Sequence, residues 1–165
     1  MNARVAIGRR AGQRGAAIVE FALASVALLG MIMGMYVMFL AVYTNHCASE
    51  SAREGSRYAM VRGSTSCTNT PSLTNCNATA AEVQSYVEGL GFPGMNTANG
   101  MTVTVSWLTV STTQPATWSP CSSGTCNTPG NLVKVQVQYA FPLSLPFFSS
   151  NTLNLSSTSQ MAIAQ

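Results

Sequence analysis

The sequence predicts an α+β protein: a long N-terminal helix, then one additional short helix, then a small antiparallel sheet of about three strands. Three observations carry that expectation. Residues 21–43, FALASVALLGMIMGMYVMFLAVY, contain no charge. Residues 79–92 place apolar side chains at helical spacing, and two later segments alternate apolar with polar residues as half-buried strands do.

The uncharged run comes first. At 1.5 Å per residue a helix of this length reaches about 35 Å, against about 30 Å of bilayer hydrocarbon, so it spans a membrane with modest tilt. A buried core helix would need apolar surroundings on every side, and the rest of the chain supplies too few apolar residues for that. A secretory signal peptide is the other rival. Its apolar region is about 7 to 15 residues long and ends at a small-residue cleavage site, whereas this run is longer and ends in MFLAVYTNH.

Charge placement sets the orientation. Arg4, Arg9, Arg10 and Arg14 precede residue 16 with no acid among them, so the first 15 residues carry +4, while the remainder holds four Lys/Arg against five Glu, a net of −1. The positive flank keeps residues 1–15 in the cytoplasm and sends the chain after about Thr44 outward. A basic arm without a basic face elsewhere argues against a nucleic-acid partner. Cys67, Cys76, Cys121 and Cys126 all fall in the outward part, within loops rich in Ser, Thr, Asn, Gly and Pro. That placement suits an oxidising compartment.

The helix is expected to continue beyond the bilayer, from Ala16 to near Val61 with Gly63 as its stop. In NHCASESAREGSRYAMVRG, Glu50 with Arg53 and Glu54 with Arg57 form i,i+3 pairs, and Ala48, Ala52, Ala59 and Met60 offer apolar contacts. Gly55 is a weak point, costing roughly 1 kcal/mol relative to alanine in a helix interior. Gly30 and Gly34 form G-x-x-x-G, which lets another membrane helix approach closely, although glycine is also simply frequent in such helices. The methionines beside them are packing residues and not metal ligands.

The short helix lies in TAAEVQSYVEGLGF. Thr79 and Glu82 fit a capping box, Gly89 or Gly91 ends it, and Val83, Tyr86, Val87 and Leu90 make an apolar face that should pack on the sheet. The strands are 101–111, alternating Val103, Val105 and Trp107 with Thr102, Thr104 and Ser106; 132–141, alternating Val133, Val135, Val137 and Tyr139 with Lys134, Gln136 and Gln138; and 152–164, whose centre is filled by Ser and Thr. The first two should each keep one wet face, and Pro142 and Pro146 should break the connection to the third.

The cysteines permit Cys67 with Cys76 and Cys121 with Cys126, leaving Cys47 as the odd thiol near the membrane. Zinc is the rival use, but neither pair is C-x-x-C and only His46 could supplement them, so no metal and no cofactor is expected. Catalysis has little to work with. There is no Asp and one His, which excludes a Ser-His-Asp triad, and the five glutamates show no facing pair. His46 and Cys47 are adjacent on a helix and point about 100° apart.

Glu20 stands out at the head of the apolar run. An acid at the membrane interface needs no partner if the helix N-terminus offsets its charge, yet acids within a membrane usually pair. A cut between Gly15 and Ala16 would make Glu20 the fifth residue and create an ammonium at Ala16. Between two helices offset by about one turn, Glu20 of one could then neutralise the ammonium of the next.

These residues resemble a known processing site. A basic leader ending in QRG, then AAIVEFAL and a long apolar run, looks like the cleavage site of type IV prepilins. With ASESAREGSRYAMVRG after the span, the pattern is most similar to TadE-like pseudopilins of the tight-adherence (Flp) pilus system. The resemblance implies a pilin-like fold, with the long helix packed on the sheet. It also implies cleavage after Gly15 by a prepilin peptidase, a role for Glu20 and Phe21 in recognition or assembly, and a minor pilin acting in pilus assembly and adhesion. Many relatives have proline about six residues after the glutamate, where this chain has Val26, so a proline kink is not carried over.

The expected organisation is a cytoplasmic leader at 1–15, a transmembrane helix at 16–43, its exported continuation at 44–62 and an exported α+β domain at 63–165. The expected site is the bacterial inner membrane, crossed once, with incorporation into an extracellular pilus as the further step. Partners would be the peptidase, other pilins and the assembly machinery, and membrane lipid. The alternative is an uncut single-pass anchor presenting a binding or adhesive domain.

Overall fold

The computed structural model describes residues 4–95, 97–110, 117–121, 126–143 and 150–165, with side chains from Gly15 onward. Helix α1 runs Arg4–Met60 and is followed by a single turn α2, Ser66–Asn69, and by α3, Ala80–Glu88. A 3-10 turn at Thr97–Asn99 leads into strands β1 (Met101–Val110), β2 (Trp118–Pro120), β3 (Leu132–Leu143) and β4 (Asn151–Ala162). The α+β class and the long first helix are as the sequence predicts. The chain divides into two units, one of residues 1–40 with 143–150 and one of residues 41–142 with 151–165.

The second unit holds the sheet, ordered β2-β1-β3-β4, with β1 antiparallel to both β2 and β3. Four strands stand where three were expected. The extra one, Trp118–Pro120, is too short to show a period of two, and it pairs Val110 with Trp118 and Leu108 with Pro120 at the sheet edge, where a proline is tolerated. Met101↔Tyr139 through Leu108↔Leu132 fix the β1–β3 register, so Val103, Val105 and Trp107 oppose Val137, Val135 and Val133 on one face. Val133, Val135 and Val137 are fully buried. The opposite face is not uniformly wet, because Leu108 is also buried at its end.

Pro142 does not break the chain where expected. It lies inside β3, three residues beyond Tyr139, the last partner of β1, so its missing N–H removes no bond of that ladder. Pro146, Ser111 and much of the loop 112–131 lie outside the described residues. The Ser-rich β4 does form, and its small side chains have a packing use: Ser159 shares a 2.8 Å hydrogen bond with Ser56 of α1.

Within this unit α1 presents small residues. Ala48, Ser51, Ala52, Ser56 and Ala59 are completely buried. Gly55 is no accident of composition: a Cβ there would stand 2.5 Å from Cγ2 of Val87 and 3.1 Å from Cγ1 of Val135. Glycine lets α1 approach α3 and β3, and the helix accepts its propensity cost for that contact. On the exposed side Glu50–Arg53 at 3.3 Å and Glu54–Arg57 at 2.9 Å pair as expected.

Helix α3 starts with the capping box that its sequence encodes. The Glu82 amide donates to Thr79 Oγ1, the Thr79 amide donates to Glu82 Oε2 at 2.7 Å, and Gly89 closes the helix. Val83 and Val87 are buried, and α3 packs on β1. Tyr86 stacks on Tyr58 with ring centroids 4.1 Å apart, and the Arg62 guanidinium sits 3.8 Å from the Tyr58 centroid.

The end of α1 is closed by the C-terminal residues. The Ala164 amide donates to Met60 O, the Ile163 amide donates to Asn131 O, and a Cβ on Gly63 would collide with the carbonyl oxygen of Gln165. The helix ends before Gly63, as predicted. Its beginning differs. The sequence suggests a start at Ala16, but no proline lies between Arg4 and Ala16 and the backbone is helical throughout.

Candidate functional site

The residues singled out by the sequence gather on α1 from Gly15 onward. This helix is the one span long and apolar enough to cross a membrane among the described residues, and none of its most apolar window is buried. Phe21 is 75% exposed and Leu23 70%. The reason lies in the residue types: large apolar side chains point outward on all sides, so one neighbouring element could not cover them.

Ala16 and Glu20 are four residues apart on one helix, about 6 Å along its axis and on the same side. Both are exposed. Among the described residues Glu20 makes no ion pair and no hydrogen bond. The side chains of Arg4, Arg9, Arg10 and Arg14 lie outside the described residues. Ser25, the one hydroxyl between Glu20 and Gly30, donates to Ala22 O at 2.8 Å and so satisfies itself within the helix.

Gly30 and Gly34 stand open. A Cβ at either would meet nothing within 4 Å. Among the described residues none needs a glycine at those positions for contact. Ala27 and Gly34 follow Glu20 by seven and fourteen residues, so they lie close to one line along the helix, drifting about 20° per heptad. The segment therefore joins one carboxylate, a strip of small residues and a large apolar surface. It holds no nucleophile next to a base. What it can do is bury itself in lipid or against other helices.

The cysteines belong to the second unit. Cys67 is bonded to Cys76, and Cys121 to Cys126; Cys47 is buried and unbridged. The Cys67–Cys76 loop is also tied to the end of α1, by Ala78 N donating to Arg62 O, Arg62 Nε to Thr74 O and Asn75 Nδ2 to Tyr58 Oη. No three His, Cys, Asp or Glu side chains come together among the described residues. Sequence reasoning missed the Tyr58–Tyr86–Arg62 stack. Its only signal was Tyr58 and Arg62 at i,i+4 on α1.

Fold and site define a class first: an α+β protein with one long apolar N-terminal helix, a four-stranded antiparallel sheet and short helices. Residues 15–57 match the family model described as TadE-like protein. Over that segment, an N-terminal apolar helix, the chain is similar to TadE-like proteins, in agreement with the resemblance read from its residues. By length and composition α1 can cross a membrane once. No curated protein matches the chain. No solved structure does either.

Proposed function

We propose that the chain is a prepilin-like minor pilin, cut after Gly15 by a prepilin peptidase and then inserted, or used to prime insertion, in a Tad (Flp) pilus. Residues 1–15 are its cytoplasmic leader. Residues 16–43 span the inner membrane, 44–62 continue the helix outside, and 63–165 form the exported domain, which adheres. The observation that carries the reading is Glu20, exposed and unpaired among the described residues, one turn beyond the bond that cleavage would open. A carboxylate in apolar surroundings needs a positive partner, because desolvating an isolated charge costs several kcal/mol.

Cleavage supplies that partner as the ammonium of Ala16. Within one copy the two charges lie on the same side of one helix turn. Between copies offset along the helix axis, Glu20 pairs with the neighbour's ammonium and fixes the stagger. The open surface over Gly30 and Gly34 then admits the neighbouring helix closely. Phe21 completes the processing motif beside Glu20.

The test is the N-terminal residue of the cellular protein together with Glu20→Ala. Processing predicts Ala16 as the first residue by mass measurement. Glu20→Ala should leave export intact and abolish incorporation into sheared pili. An intact Met1 in cells with active peptidase sinks the processing step and leaves an uncut anchor that presents its domain at the membrane. Normal incorporation of the variant sinks the pairing.

A further inference from the structure

We propose that the outer face of the sheet carries a binding cleft for a neutral oligosaccharide, centred on Thr102, Gln138 and Asn154. The cleft, of about 300 Å³, lies over β1, β3 and β4. That volume is at the small end for ligand sites and suits one or two sugar rings. It deepens the adhesive part of the function above by naming a ligand class and a site.

The chemistry of the lining excludes other ligands in turn. Thr102 and Gln138 are register partners, and both are exposed, as are Asn154 and Ser156 of β4. Their hydroxyls and amides offer donors and acceptors together, and no charged side chain lines the cleft. The one charge on this face is Lys134, four residues from Gln138 and so about 13 Å along β3. An ionic ligand would have no counter-charge. An apolar ligand would strip water from Thr102, Gln138 and Asn154 and return no hydrogen bond.

A neutral polyhydroxylated ligand returns those bonds. Among the described residues the side chains of Thr102, Gln138 and Asn154 make no hydrogen bond, so their groups are available. Ser156 is already oriented, accepting from Gln136 Nε2 at 3.2 Å. Tyr139, the aromatic residue at the cleft, is buried with its hydroxyl donating to Gly94 O, so it gives no stacking platform. Affinity for the single site is therefore weak, about 1 mM.

The wider domain agrees with this. Residues 63–165 contain three charged side chains, Glu82, Glu88 and Lys134, against many Ser, Thr, Asn and Gln. Such a surface exerts little long-range field, so recognition must rest on hydrogen bonds and shape, and salt should hardly alter it.

The experiment uses the full chain in lipid nanodiscs, which avoids sugar-headed detergents, and saturation-transfer NMR with maltotriose, cellotriose, triacetylchitotriose and the anionic 3′-sialyllactose. At least one neutral trisaccharide should bind, independently of salt, with sialyllactose showing no preference. The exposed double variant Gln138→Ala/Asn154→Ala should weaken that binding at least tenfold, while Gln84→Ala on α3 leaves it unchanged. Amide shifts in the unaltered chain give a check free of folding effects, and they should cluster at Thr102, Gln138 and Ala140. No transfer from any neutral trisaccharide at about 10 mM, ten times the expected constant, overturns the proposal. So does binding that the double variant leaves intact or shifts that fall elsewhere. Because the assay needs neither cleavage nor a pilus, its failure would leave the assembly reading untouched.

Discussion

Two stretches of α1, residues 15–40 and 41–60, use side-chain size in opposite ways. In the first, Leu28 at 60%, Met31 at 67% and Phe39 at 72% exposure are large apolar residues that the chain itself does not cover. In the second, Ala48, Ala52 and Ala59 are completely buried, with Ser51 and Ser56 between them. The most apolar part of the protein is thus the least buried. Hydrophobicity there has to be answered by lipid or by other subunits, whereas the small residues of the second stretch are answered by this chain's own α3 and sheet.

Glycine makes the contrast testable, and the largest effect is expected here. Gly55→Leu would place its first carbon 2.5 Å from Val87 and add three more atoms to a filled space. Overpacking of that kind should cost about 3 kcal/mol or more in stability of the second unit, read from denaturant midpoints by the fluorescence of half-buried Trp107. Gly34→Leu meets nothing within 4 Å and should leave the same midpoint unchanged. Its damage should appear only in pilus incorporation. Equal midpoint shifts in the two variants would end the distinction between the stretches.

The same contrast explains what could be read from the sequence. The apolar run, the i,i+3 ion pairs, the capping box at Thr79 and the alternation in β1 and β3 are local patterns, and local patterns survive without knowledge of the fold. Gly55 was read only as a helix weakness, because Val87 and Val135 are distant in sequence and nothing local announces them. Pro142 misled for a related reason: whether a strand tolerates proline depends on where its partner stops. The three-residue β2 carries no period to detect. On the candidate site, the exposed Glu20 was legible because charge in an apolar run is conspicuous. The cleft at Thr102, Gln138 and Asn154 was not, since it needs three strands side by side.

A second difference concerns how each stretch is fastened, and its effect should be somewhat smaller. The end of the second stretch is pinned by the loop that Cys67 and Cys76 close at a sequence separation of 9, through Arg62, Tyr58 and Thr74. Replacing both cysteines with serine frees the unfolded chain and should lower domain stability by about 2.5 kcal/mol. The shift should appear only under non-reducing conditions, where the unaltered protein keeps its bridge. If the double variant and the oxidised parent unfold together, the loop is held by its hydrogen bonds alone.

The smallest effect tests whether packing against the second stretch depends on helix α3 being well formed. Thr79→Ala removes the hydroxyl that accepts from the Glu82 amide and leaves an orphan donor at the helix start, at a cost of about 1 kcal/mol. The loss must pass through Val83 and Val87, which are buried, and through Tyr86, which stacks on Tyr58. Thr79→Ser, which keeps the acceptor, should restore most of the stability. A full cost in the serine variant would mean that the methyl group and not the cap matters. No cost in either would mean that packing onto α1 and β1 holds α3 helical whether or not its first turn is capped.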